Sequence, residues 1–317
     1  MRRKLALETL AFLAFAVVAA ILPRLVSDFR TRELAIAGIY FIALLGLAIL
    51  TGYSGQISLG HGAFMAIGGY TTAILSVDHG IRPIWTLPLA GLVAGGSGLL
   101  VGIPALRLTG IYLAIVTFGI AISVPQLLKK FEGFTGWTTG KYGEGLTSQP
   151  PFGLDTTSNH WLYYLTAATA LVLLALAWAI ARGKPGRALQ AIRDSEVAAV
   201  SSGISPALYK TLAFGISSFY AGVAGALYAM GAAYVTPQTF PITLSLFLVV
   251  GLAVGGLGSL AGSVVGAILI QFLPPLAPHL GHAPPQVLQG AVLVGVMLLL
   301  PGGAAGLLRL VQSSRQP

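Results

Sequence analysis

The polar side chains that lie within apolar sequence gather in one short run. Tyr53-Ser54-Gly55-Gln56-Ile57-Ser58-Leu59-Gly60-His61-Gly62 sets Ser54, Gln56, Ser58 and His61 among glycines and apolar residues. A polar group facing lipid is costly, so these four should face a bundle interior, a cavity or another subunit. They exchange hydrogen bonds, and an imidazole can also take a proton. No nucleophile–base–acid set and no metal-ligand spacing accompanies them. His61 alone reads more readily as a structural histidine than as a substrate ligand. The five histidines are scattered, and the absence of cysteine excludes disulfides, zinc–thiolate sites and thiol catalysis.

Two nucleotide-like patterns fail on inspection. Thr135 through Gly140-Lys141-Tyr142 approaches a phosphate-binding loop, but its first glycine is threonine and the residue after lysine is tyrosine. Gly256-Leu257-Gly258-Ser259-Leu260-Ala261 has dinucleotide-motif spacing, yet it sits in an apolar run with no preceding strand. Acids are also missing where an ion-coupled carrier would place them. No predicted span after the first holds Asp or Glu, which weakens a proton- or sodium-driven carrier and favours a pathway powered elsewhere.

The elements that must position these residues follow from composition. Of 317 residues, 56% are hydrophobic and 9% charged, against about a quarter charged in soluble domains. That excludes a soluble globular enzyme and a disordered chain. Lys plus Arg is 18 and Asp plus Glu is 9, a formal net charge of +9. In so apolar a chain this fits the positive-inside bias of membrane proteins rather than nucleic-acid binding.

Spans of about 20 apolar residues cross a bilayer core. Ten are predicted: Leu5–Leu22, Leu34–Thr51, Ile57–Val77, Trp85–Ile103, Thr109–Leu127, Trp161–Ala181, Thr211–Tyr234, Ile242–Leu257, Leu260–Leu276 and Gln286–Leu300. They are too long and too uniformly apolar for barrel strands. The fold class is therefore an all-α polytopic membrane protein of eight to ten transmembrane helices, some broken or re-entrant at glycine-rich runs. Met1-Arg2-Arg3-Lys4 and its apolar run resemble a signal peptide, but the run is long and meets Pro23-Arg24, so a retained helix is preferred. With both termini inside, inner segments hold 11 Lys and Arg and outer segments 7, which supports that orientation.

Two connections are long. The outer one, Leu128–His160, is rich in Gly, Thr, Tyr and Trp around Phe134–Gly140, and reads as a surface loop or as a cap for an external partner. The inner one, Arg182–Lys210, has clear punctuation. Gly183-Lys184-Pro185-Gly186 ends the preceding helix. Arg187–Ser202 reads as one short helix, with Leu189, Ile192 and Ala199 near one face and Arg193 able to pair with Glu196. Gly203 stops it, and Ser205-Pro206 opens the next span. Its short length, alanine content and mixed charge suit docking into a protein groove better than floating at a lipid interface. Most of the 41 glycines are expected to bring helices close together in lipid.

Several blocks in order resemble one family. Gly52-Tyr53-Ser54-Gly55-Gln56-Ile57-Ser58-Leu59-Gly60-His61-Gly62-Ala63-Phe64 looks like the signature of branched-chain amino acid ABC transporter permeases. Gly110-Ile111-Tyr112-Leu113-Ala114-Ile115-Val116-Thr117, then Gly186–Glu196, Gly203-Ile204, Ala221–Tyr228 and Gly255–Ser259, resemble its LivM branch rather than the LivH partner. The resemblance runs from about Leu34 to Leu300 and implies a single permease domain over 1–317 in a bacterial inner membrane. It implies a LivH-like second permease, two cytoplasmic ATPases that carry ATP and Mg, and a periplasmic solute-binding protein. The chain itself would be no enzyme and would bind no cofactor.

Carried onto this sequence, the coupling helix within 182–210 would meet an ATPase through Arg187, Leu189, Ile192, Arg193, Asp194 and Glu196. The 128–160 loop would face the binding protein. Ser54, Gln56, Ser58, His61, Tyr112 and Thr117 would lie near the translocation path. The outer loop is Trp/Tyr-rich where the family often has a more acidic Gly-Ser-Asp stretch. The substrate expected first is a branched-chain or other hydrophobic amino acid, then urea, an amide or another small solute. A stand-alone carrier or channel and a membrane scaffold are the readings from other classes.

Overall fold

A computed structural model describes residues 19–106, 108, 110–130 and 158–276, with isolated positions at 17, 146, 287, 290, 291 and 295. Among the described residues there are helices and no strand. Helix α1, Asp28–Leu47, starts with an acid in its first turn, which suits the positive end of the helix dipole. It continues into a π-helical turn, Ala48–Tyr53. Then come α2 (His61–Val77), α3 (Pro83–Ala105), α4 (Ile111–Lys130), α5 (Ser158–Arg182), α6 (Lys184–Asp194), α7 (Glu196–Ser201), α8 (Pro206–Ala232), α9 (Ile242–Gly255) and α10 (Gly262–Leu276).

Among the described residues six stretches are long and apolar enough to cross a membrane: Asp28–Tyr53, Pro83–Pro104, Ile111–Leu128, Asn159–Arg182, Pro206–Ala232 and Pro237–Gly255. Two more of the ten predicted spans form shorter helices, α2 with 17 residues and α10 with 15. At 1.5 Å per residue these reach only about 25 and 22 Å, less than a core about 30 Å thick. The predicted span Leu5–Leu22 lies mostly outside the described residues, as do Gln286–Leu300 and nearly all of the 128–160 loop.

Helix α8 is the axis. It packs against α3, α2 and α1, while α5 covers the far side of α1 and α9–α10 form a hairpin against α1. Small residues set these distances. A methyl on Gly225 would run into the Met65 carbonyl of α2, and one on Gly68 into Gly222 of α8. Gly251 and Gly255 meet Gly266 and Gly262 in the same manner across the α9–α10 hairpin. In lipid, where burial drives little association, such close backbone approach supplies the packing. Tyr220 fills the gap beside Gly46 and donates from its hydroxyl to the Leu173 carbonyl at 2.8 Å, tying α8 to α5.

The inner connection departs from its sequence reading. The single helix expected over Arg187–Ser202 is two helices. Lys184 opens α6 three residues earlier, because Pro185 fits a helix's first turn as well as it ends one. The chain then breaks at Ser195, which is extended (φ −161°, ψ 111°) and caps α7 by accepting from the Ala198 N–H at 3.3 Å. The expected Arg193–Glu196 pair does not form. Arg193 pairs with Asp194 at 3.3 Å, and Glu196 with Lys210 of α8 at 2.6 Å, because the break turns Glu196 away from Arg193. Gly203 does take the left-handed conformation (φ +78°), and Ser205-Pro206 does open α8.

Candidate functional site

The π turn sets the geometry of the polar run. Extra residues per turn loosen the end of α1, and Ser54 Oγ donates back to the Leu50 carbonyl at 2.6 Å. Gln56 Nε2 donates to Ser54 Oγ at 2.9 Å and to the Lys210 carbonyl of α8 at 3.4 Å. Thr51 Oγ1 donates to the Gln56 carbonyl at 3.0 Å. From Gly55 to Gly60 the backbone belongs to no helix or strand.

This segment climbs alongside α1. Near its start, the Gln56 N–H bonds to the Leu50 carbonyl at 3.2 Å. At its end, His61 Nε2 sits 3.0 Å from the Ala43 carbonyl. Ala43 lies ten positions before Tyr53, about 15 Å up a helix. So α2 begins deep in the bundle. One of its first N–H groups is met by another span: Gly62 N–H donates to Ser245 Oγ of α9 at 2.9 Å. Just before it, Leu59 N–H donates to Thr117 Oγ1 of α4 at 2.9 Å. Two helix starts, α2 and α9, therefore meet inside the molecule.

Burial alternates along the segment. Ser54, Gln56, Ser58 and Gly60 are buried, whereas Gly55 and Ile57 are exposed and Leu59 is half-buried. The structure brings Ser54, Gln56, Ser58, His61 and Thr117 together, all buried. Tyr112 stands apart, 66% exposed on α4. Sequence reasoning missed Ser245, one of two hydroxyl side chains on α9, and missed the carbonyls of Ala43 and Lys210. A backbone carbonyl carries no sequence signal.

The inner connection meets the foot of this segment. Arg193 Nη1 donates to the Gly52 carbonyl at 2.7 Å. Carbonyls at a helix end lack intrahelical partners, so a guanidinium there is a charge-assisted cap on the π turn. Three glycines lie around this bond. Gly55 is in the left-handed region (φ +73°), and a Cβ there would lie 2.8 Å from Arg193 Cγ. A Cβ on Gly52 would lie 2.5 Å from the Gly258 nitrogen, and one on Gly258 would lie 3.9 Å from Arg193 Nη1. The signature run, the Gly255–Ser259 run and α6 thus converge on one guanidinium.

The other residues of the connection divide between two faces. Leu189 and Ile192 are buried, so they anchor α6 to the bundle. Arg187, Asp194 and Glu196 are exposed, and Arg187 Nη1 donates to the Arg182 carbonyl at 3.2 Å, capping α5. Sequence reasoning missed Val197 and Val200, which are 79% and 56% exposed on α7. Their signal was apolar character off the Leu189–Ile192 face. Among the described residues no group of acidic and histidine side chains suits a metal.

A family model described as the branched-chain amino acid transport system permease component matches residues 29–301. The chain belongs to that family. The permease is 35% identical to the high-affinity branched-chain amino acid transport system permease protein LivM of Salmonella typhimurium, over 93% of this chain and 74% of that one. LivM of Escherichia coli K12 matches at the same identity and the same coverage. The LivH permease protein of the Salmonella typhimurium system is 25% identical over 84% of this chain and 91% of its own. No solved structure matches at a significant level.

Proposed function

We propose that this permease is one transmembrane subunit of an ATP-driven, binding-protein-dependent importer of the bacterial inner membrane, carrying branched-chain or other hydrophobic amino acids. Family membership and the likeness to LivM support the substrate class. The likeness to LivH as well supports a second, related permease subunit beside this one. The chain acts as a single transmembrane domain with ten spans, both termini inside, and lipid around its outer faces. Its 128–160 loop faces the periplasmic binding protein. The chain is not an enzyme; ATP and Mg belong to two separate cytoplasmic ATPase subunits.

The observation that carries the coupling scheme is the bond from Arg193 to Gly52. In this scheme α6 and α7 form the coupling element. Arg187, Asp194 and Glu196 meet an ATPase, Leu189 and Ile192 hold the element to the bundle, and Arg193 passes its displacement to the foot of the signature segment. Ser54, Gln56, Ser58, His61 and Thr117 fix that segment beside the path, with Tyr112 at the outer face of α4. Driving energy enters from below, which fits predicted spans without acids after the first.

Copurification from the native host followed by leucine uptake into proteoliposomes tests the proposal. Uptake requiring ATP, the two ATPases and the binding protein is expected. Leucine transport by the purified chain alone without ATP would contradict it. Urea or an amide becomes the substrate if the copurified soluble partner binds that solute and not leucine.

A further inference from the structure

Non-helical backbone at membrane depth survives only where protein buries it or water lines it. The Gly55–Gly60 segment is such backbone. It rises from the level of Lys210 in α8 to that of Ala43 in α1. Some of its polar groups are accounted for. Gln56 bonds Leu50, Ser54 and Lys210, Leu59 N–H bonds Thr117, and Gly60 N–H bonds Ser58 Oγ at 3.3 Å. Among the described residues the backbone N–H and C=O of Gly55, Ile57 and Ser58 have no hydrogen-bond partner. Ser58 is buried, whereas Ile57 is 43% exposed and alone among them sets an apolar side chain beside its unpaired groups.

Lipid is a poor neighbour for that arrangement. An exposed isoleucine alone would suit acyl chains, but an unpaired amide beside it would not. Water or a polar solute is required. The alternation of burial explains how the segment manages both. Its polar side chains turn inward and are engaged in fixing the backbone, so the groups left at the outward edge are the unpaired N–H and C=O of Ile57 and the apolar side chains of Ile57 and Leu59.

We infer that the solute passes against the outward edge of Ile57–Leu59, with its polar groups on the unpaired N–H and C=O of Ile57 and its apolar side chain on Ile57 and Leu59. The chemistry suits a small zwitterion with a branched or linear hydrocarbon side chain. It assigns the contact to atoms other than the serine, glutamine and histidine side chains of the same run. The inference rests on the proposed import of hydrophobic amino acids for its solute, but not for its placement of water.

The chain has no native cysteine, so single substitutions report without background. The full transporter carries Ile57→Cys, Leu59→Cys, Ser58→Cys or Leu92→Cys, the last an exposed position on α3. A charged, water-soluble thiol reagent is applied to proteoliposomes, and labelling is read on this chain only. Ile57→Cys is expected to react at least tenfold faster than Ser58→Cys and Leu92→Cys, with Leu59→Cys between. Labelled Ile57→Cys should lose leucine uptake, and cycling with ATP, binding protein and leucine should slow its labelling.

Equal protection of Ile57→Cys and Leu92→Cys would overturn the inference, since it would mean that lipid or the second permease covers the edge. Should Ile57→Cys label rapidly, with transport blocked but no effect of leucine, the water-lined edge stands. The failure then belongs to the proposed substrate. If Ile57→Cys assembles poorly, Leu59→Cys against Ser58→Cys reads the same contrast, and equal labelling of those two would overturn the inference.

Discussion

Arg193 of α6 and Gly52 of the π turn are 141 residues apart in sequence and 2.7 Å apart at guanidinium and carbonyl. This bond is a direct polar link between α6 and the segment that climbs into the bundle. Gly55, at φ +73°, lies under the Arg193 side chain and leaves room for it. Gly55→Ala therefore acts on the same link with the charge retained. The left-handed conformation costs a side-chain-bearing residue about 1–2 kcal/mol, and the new methyl meets Arg193 Cγ. Leucine uptake should fall about tenfold while ATP hydrolysis by the assembled transporter continues. Wild-type uptake by this variant would show that Arg193 does not need its seat on Gly55.

Close helix contact predicts a contrast between two glycines. A methyl on Gly225 meets the backbone of Met65, which cannot swing aside, whereas one on Gly96 has nothing within 4 Å. Overpacking costs about 1–3 kcal/mol, and alanine returns about 0.5–1 kcal/mol of helix preference. Gly225→Ala should lower the melting temperature of the purified complex by several degrees, and Gly96→Ala should leave it unchanged or raise it slightly. Equal melting of the two variants would contradict the packing assignment.

The two hydroxyls that meet the signature segment predict another contrast. Thr117→Val keeps shape but leaves Leu59 N–H unpaired, and Ser245→Ala does the same to Gly62 N–H. Each should cost about 1–3 kcal/mol, the penalty for a buried unsatisfied donor. Thr117→Ser keeps the acceptor and should melt close to wild type. Thermal unfolding in detergent, read by tryptophan fluorescence, separates these variants.

Val197 is exposed on α7 and contributes little to the bundle. Val197→Asp should leave melting unchanged, since surface substitutions cost within about 0.5 kcal/mol. It should sharply reduce the ATPase subunits that copurify with the chain. Leu189→Ala is the opposite case: burial predicts a loss of about 2–5 kcal/mol, visible in melting before any effect on docking. Normal ATPase recovery with Val197→Asp would remove α7 from the proposed docking surface.

The helical bundle was legible because apolar runs and glycine and proline punctuation act locally. Gly203 and Ser205-Pro206 fall where a helix must stop and restart. The polar run at Ser54–His61 was legible as special because hydroxyl, amide and imidazole groups in apolar sequence must find partners. Which of its side chains turn inward was not legible. In water the polar face of an extended segment points outward. Here Ser54, Gln56 and Ser58 turn inward: Ser54 meets the Leu50 carbonyl, Ser58 the Gly60 N–H, and Gln56 both Ser54 and the Lys210 carbonyl of α8. The break at Ser195 was hidden for a related reason. Serine is tolerated within a helix, and Lys210, which meets Glu196 across the break, lies 14 residues away on α8.

The most direct test of the account is the ratio of leucine imported to ATP hydrolysed by the reconstituted transporter carrying Arg193→Ala. A charge-assisted hydrogen bond is worth about 1.5–3 kcal/mol, or about 10- to 100-fold in an equilibrium. Hydrolysis should stay within about twofold of wild type while leucine uptake per ATP falls at least tenfold, and Arg193→Lys should recover part of it. An unchanged ratio in Arg193→Ala would contradict the claim that this guanidinium carries the ATPase movement to the pathway.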